Sequence, residues 1–217
     1  MQSMKKTLAL LFMLMMIVGV CEAATAETVN NGAELSKMKR LAIAYPDYYQ
    51  SLEKEPTMSE FINLLYEASK VSKSTVISYD EMSIKIKQNT GIDIKVLPKK
   101  DARKIFRENA YIYSDGYVSF TLANNSRLNL FCEVYAPRNP NDPVYVLRVE
   151  AGKSDETKNA GTYKEMAEEF YRAFDRAVQT EIKKLAAEEK EKEKEKSKDK
   201  GKNKSKDKSK DKSKDKD

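Results

Sequence analysis

The side chains that could do chemistry are few, and the missing ones decide most. The 217 residues include no His. That removes the imidazole base, every Ser-His-Asp or Cys-His arrangement, and His-ligated zinc or haem iron. Seven scattered Gly never form G-x-G-x-x-G or a P-loop, so neither a phosphate cradle nor a nucleotide cofactor is implied. Ser36 with Lys39, and Ser51 with Lys54, have the Ser-x-x-Lys spacing of acyl-enzyme hydrolases. The accompanying Ser-Asp-Asn and Lys-Thr-Gly elements are absent, and in a chain rich in Ser and Lys such spacing arises by chance. Acids abound, but a catalytic carboxylate pair is defined by distance, which spacing alone does not supply. Asn139, Asn141 and Asp142 make an oxygen-rich loop; prolines interrupt it and no calcium-loop spacing appears, so it reads as a turn. Cys132 alternates with Leu128, Leu130 and Val134, the pattern of a small core residue and not of a reactive thiol. No catalytic residue, metal ligand or cofactor is expected.

Binding is the chemistry left. Read as strands, Ala110 to Leu122 and Arg127 to Ala136 place Tyr111, Tyr113, Tyr117, Phe131 and Tyr135 on one sheet face, with Asp115, Glu133 and Arg148 among them. Aromatic rings with polar tips suit contact surfaces for protein or sugar. Coverage by helices, which would turn this face into a second core, is the competing reading.

The elements that must position these residues follow from local pattern. Leu41 to Tyr45 is a strand stopped by Pro46, and Thr57-x-x-Glu60 is a capping box opening a helix with Phe61, Leu64, Leu65, Ala68 and Val71 on one side. Thr75 to Tyr79 is a second strand, parallel to the first; Asp80 to Thr90 is a helix capped by Gly91. Pro98 opens a helix ending near Asn109. A three-strand antiparallel meander completes the sheet with Val144 to Ala151. To keep Leu128, Leu130, Cys132 and Val134 beside Ile112, Val118, Phe120 and Leu122, paired residue numbers must sum to an even value near 250, across an odd-length loop. The next pair must sum to an odd value near 281, which sets Glu133 opposite Arg148 as a structural ion pair. Tyr163, Met166, Ala167, Phe170, Phe174, Ala177, Val178, Ile182 and Leu185 mark a long amphipathic helix across the sheet. The fold class is therefore α/β: a single domain, a mixed sheet of about five strands, and helices packed on it.

Domain organisation comes from composition. Lys5 and Lys6, an apolar run from Leu8 to Val20 and Ala24-Thr25-Ala26 read as a secretory signal over residues 1–26, with cleavage after Ala26 or Ala23. An uncleaved anchor, or lipidation at Cys21, are the alternatives. Residues 27–38 read as linker, 39–185 as the α/β domain, and 186–217 as a disordered Lys-rich tail with nothing to bury. That tail holds 14 Lys and 10 acids, whereas residues 27–185 hold 24 basic and 23 acidic groups. A near-neutral body argues against nucleic acid as partner. The tail could make weak, salt-sensitive contact with anionic polymers or lipid head groups.

The order strand, helix, strand, helices, meander, long helix resembles the exported group containing the TolB amino-terminal domain, CsgG and LpoB. The local match is Asp101 to Val118, where a helix leads into Ala110, Ile112 and Gly116, with Tyr111 in place of an acid and the Gly one position late. The resemblance implies an envelope assembly or accessory module without catalytic residues to carry over. The expected function is an exported, non-catalytic cell-envelope protein in the periplasm or envelope that binds a protein partner. The alternative is a glycan or cell-wall-polymer module using the tyrosines and the tail.

Overall fold

The computed structural model describes residues 25–30, 32–49, 56–124, 127–137, 141–152 and 160–207, with side chains as far as 192. Four expectations fall outside them in whole or in part: the signal segment as far as residue 24, the pair Ser51 and Lys54, Asn139, and the Lys-rich tail beyond residue 207. Seven strands form one mixed sheet: β1 (Thr25–Val29), β2 (Arg40–Ile43), β3 (Asp47–Tyr49), β4 (Thr75–Ile77), β5 (Gly116–Asn124), β6 (Leu128–Tyr135) and β7 (Tyr145–Glu150). Their spatial order is β1-β7-β6-β5-β2-β4, with β3 also paired to β5. Four α-helices pack on it: α1 (Met58–Ala68), α2 (Tyr79–Thr90), α3 (Lys99–Tyr113) and α4 (Ala160–Asp207).

Local signals place most elements. Thr57 and Glu60 form a reciprocal capping box at the start of α1: the Glu60 N–H donates to Thr57 Oγ1 at 3.3 Å, and the Thr57 N–H to Glu60 Oε2 at 2.8 Å. Gly91 ends α2 at φ 74°, a left-handed position open to glycine without strain. β2 pairs in parallel with both β4 and β5. Past Pro46 the chain resumes as β3 along the same edge of β5, where Asp47 lies opposite Thr121.

Each sheet face carries its own core. Leu41, Ile43, Val118, Phe120, Leu130, Cys132, Val134, Leu147 and Val149 pack against Phe61 and Leu65 of α1 and Phe170, Tyr171 and Phe174 of α4. On the other face Ala42, Ile77 and Tyr117 meet Met82 and Ile86 of α2 and Phe106 and Ala110 of α3. The sheet is thus the middle of three layers.

Strand parity is as alternation required, but one register differs. β5 and β6 pair even with even, Val118 with Val134 and Phe120 with Cys132, across the odd-length connection 125–127. β6 and β7 pair with odd sums, but Glu133 faces Val146 and Arg148 faces Phe131, so Glu133 and Arg148 are not the expected pair. A slip of two residues leaves every side chain on its face, so alternation cannot detect it. The β6–β7 connection decides: the Val144 N–H donates to the Val134 carbonyl at 2.8 Å and sets Tyr145 opposite Val134.

Other differences are additions and extensions. The 27–38 segment, expected as linker, holds most of β1 and a 3-10 turn at Leu35–Lys37, and buries Leu35 and Met38. β1 pairs antiparallel with β7 from Thr25 opposite Val149 to Val29 opposite Tyr145. α3 runs four residues past Asn109, taking what was expected to be the start of a strand and leaving Ile112, expected inward beside Val118, exposed on the helix. On α4 burial ends with Phe174 and Asp175; Ile182 and Leu185, expected inward, are 42% and 45% exposed. No helix among the described residues is long and apolar enough to cross a membrane.

Candidate functional site

Pro98 starts α3, and its first two and a half turns place Lys99, Lys100, Arg103 and Arg107 at helical spacing on one flank. That flank forms one wall of a groove of about 890 Å³ against the sheet. The floor carries rings: Tyr117 from β5 and Tyr135 from β6, joined in the lining by Phe106 from α3, Tyr45 and Tyr79. Ser119 and Thr121 of β5 and Glu133 of β6 lie on the same sheet face as Tyr117 and Tyr135, Asn141 lines the groove as well, and Ala44, Met58, Ile94, Leu97 and Ala102 add apolar surface.

The floor is a packed set of rings. Tyr117 and Tyr135 stack with centroids 5.0 Å apart and planes 15° from parallel. Phe106 meets Tyr117 edge-on at 5.7 Å, and Tyr79 stands edge-on to Tyr45 at 5.2 Å. Tyr117 is buried at 4% exposure, whereas Tyr45 and Tyr135 are half-buried and show part of their rings to the groove. Burial pushes the phenols of Tyr111, Tyr117 and Tyr135 up, and the nearby Arg107 guanidinium pulls all three partly back. They are neutral hydrogen-bonding groups across the physiological range.

The charges divide unevenly. Asp47 is paired with both Lys99 and Arg103. Glu133 accepts the Tyr135 hydroxyl at 2.8 Å. Lys100 and Arg107 have no ion-pair partner among the described residues. Arg103 is half-buried, and burial together with the like charge of Arg107 disfavours its charged form.

The five expected aromatic residues do not form one surface. Tyr117 and Tyr135 line the groove, and Tyr111 backs it with its ring 5.7 Å from Tyr117. Tyr111 and Tyr113 stand on the last turn of α3, not on a strand. Tyr113 turns to α2, donating to the Lys85 carbonyl at 3.3 Å beneath the Lys85 ammonium. Phe131 is 36% exposed on β6, under the Arg148 guanidinium at 5.8 Å. Arg148 itself donates to Asn129 and Glu150. Helical coverage of much of this face is the outcome, and what stays open is its edge beside α3.

Alternation misled at Tyr111 and Tyr113 because the helical stripe Ala102, Phe106, Ala110 and Tyr113 runs through the same residues. The strand begins only at Gly116, where a Cβ would lie 2.7 Å from the Tyr135 carbonyl oxygen, so β6 can approach only a glycine there. The Asp115 carboxylate accepts from the Lys39 and Arg40 N–H groups and fixes the turn into β5. The cationic flank of α3 went unread, although Lys99, Lys100, Arg103 and Arg107 show it once the helix is placed at Pro98.

Other candidates carry less. The Ser36 backbone N–H donates to Glu181 of α4, a structural tie between the turn and the helix. Cys132 is fully buried, and burial pushes its thiol well up. Asn141 lines the groove; Asn139 lies outside the described residues. No cluster of three or more metal-ligating side chains occurs among the described residues.

No protein-family model matches the chain, and no curated protein matches it. Among solved structures, the PelC dodecamer from Paraburkholderia phytofirmans is similar at 9% identity and a TM-score of 0.41, over 70% of this chain and 97% of that one. The LpoB C-terminal domain from Escherichia coli is similar at 12% identity and 0.42, over 57% of this chain and 88% of that one. A hypothetical protein from Chlamydia trachomatis is similar at 10% identity and 0.39, over 65% and 98%. One member of the group that the sequence resembles is thus among them, as a distant likeness that leaves open what the groove holds.

Proposed function

We propose that this chain is an exported accessory domain of the cell envelope that works by binding a partner, without catalysis, and that the partner seats in the groove between α3 and the sheet. The observation that carries this is the groove itself, an aromatic floor beside a cationic flank that the rest of the protein only partly neutralises. Its two lining carboxylates support a binding role: Asp47 is held by two cations, and Glu133 is engaged by a tyrosine hydroxyl. The export signal at the amino terminus supports the envelope assignment.

Placing a photoreactive side chain at Lys100, at the groove mouth, and at Arg172, on the exposed flank of α4, tests the site in the native envelope. Adducts from position 100 and none from 172 are expected. Equal yields, or none at position 100, would sink the assignment of the groove.

A further inference from the structure

The groove's chemistry narrows its occupant. Along α3, Lys100 and Arg107 lack ion pairs among the described residues, and Lys99 and Arg103 share the one carboxylate of Asp47. Arg103 and Arg107 are four residues apart on α3, one helical turn, a spacing at which one anion can meet both. The lining also holds two hydroxyls, an amide and a carboxylate, from Ser119, Thr121, Asn141 and Glu133, which are partners for hydroxyl groups. Among them are the half-buried rings of Tyr45 and Tyr135.

On β5 and β6, which floor the groove, a strand-like peptide finds no free edge among the described residues. β5 is paired to β6 on one edge and to β2 and β3 on the other, while β6 lies between β5 and β7. An amphipathic helix needs a continuous apolar trough, and the apolar lining here is interrupted by Lys99, Lys100, Arg103, Arg107, Asp47 and Glu133. A bare small anion would use the cations and leave the rings and the hydroxyl and amide groups idle. A sugar carrying carboxylates uses all of these groups, and the groove's 890 Å³ falls within the roughly 300–1,000 Å³ typical of small-molecule sites.

We propose that the groove binds an acidic glycan, a saccharide chain bearing carboxylates. Its carboxylates meet Arg103 and Arg107, its hydroxyls meet Glu133 and Asn141, and a sugar ring lies on Tyr135. This rests on the binding role proposed above and adds the ligand class.

Titration calorimetry on the full exported chain tests it with three probes: an oligogalacturonate, a neutral galacto-oligosaccharide of the same length, and an oligoglutamate of the same charge. The variants are Lys100→Gln/Arg107→Gln in the groove and Lys183→Gln/Lys184→Gln on α4; all four positions are exposed, and each pair removes the same charge. The oligogalacturonate is expected to bind at least about tenfold more tightly than either other probe, and the groove variant to lose about tenfold or more while the α4 variant does not. Equal loss in both variants would assign the effect to net charge or the Lys-rich tail and overturn the proposal. Oligoglutamate binding as tightly would overturn it in favour of an acidic protein segment. Absence of oligogalacturonate binding also overturns it; continued cross-linking from position 100 would then leave the groove as a binding site for something else.

Discussion

Cys132 and Arg103 show how placement sets what a residue can do. The thiol sits between β5 and β7 neighbours with no exposure, and burial raises it far above the range in which a thiolate forms. Iodoacetamide should therefore leave Cys132 unmodified in the folded protein at pH 8 and alkylate it fully in guanidinium, as read by peptide mass mapping. Alkylation of the native chain at a comparable rate would mean that this part of the sheet opens readily. Arg103 is the opposite case, a charge held half-buried beside another of the same sign. Alternating apolar neighbours made the burial of Cys132 legible in sequence. The burial of Arg103 and its pairing with Asp47 were not, because they depend on a helix flank meeting a strand far away in the chain.

At the scale of elements, a buried acid, Asp175, adds to the packing that holds α4 on the body. The Asp175 carboxylate accepts the Lys73 N–H at 2.7 Å and the Ser72 hydroxyl at 3.4 Å, tying α4 to the turn between α1 and β4. Burial raises its pKa above the ordinary 3.8, more than these hydrogen bonds lower it. The folded state therefore favours the protonated acid. Its stabilising contribution is complete below pH 3.8 and is lost as pH rises through the raised folded value. Asp175→Asn keeps an acceptor for Lys73 and removes the titration. Its thermal midpoint relative to the parent should rise as pH climbs from the ordinary 3.8 through the raised folded value, then level off. A difference independent of pH would show that the acid is not desolvated. Asp175→Ala leaves the Lys73 N–H unpaired and should cost about 1–3 kcal/mol by denaturant titration.

For the whole molecule, the sheet edge and the helix end define where the domain stops. The last fully packed turn of α4 carries Phe174, and exposed side chains dominate from Gln179 onward. Removing everything after Lys196 should leave the midpoint of thermal unfolding unchanged. A drop larger than about 2–4 °C, the equivalent of roughly 1 kcal/mol in a domain of this size, would mean that the tail packs on the body. The other boundary is β1, which covers β7 from Thr25 onward. Processing after Ala23 preserves all five of its pairings, whereas processing after Ala26 removes two and bares part of the β7 edge.

What the sequence determined by itself was set by short-range physics. The capping box at Thr57, the glycine stop at Gly91, the face assignment of β5, β6 and β7, and the absence of imidazole chemistry depend on residues close in the chain or on composition. Only the tertiary structure decided which of two face-preserving registers joins β6 to β7, because a slip of two residues changes partners without changing burial. It also decided that residues 25–29 become an edge strand, since their pairing depends on an exposed β7 more than a hundred residues away. The groove belongs with these. Its Lys99, Lys100, Arg103 and Arg107 lie on α3, Tyr117 and Tyr135 on β5 and β6, and Asp47 and Glu133 on β3 and β6, so it exists only where the cationic flank of α3 comes to rest on the sheet.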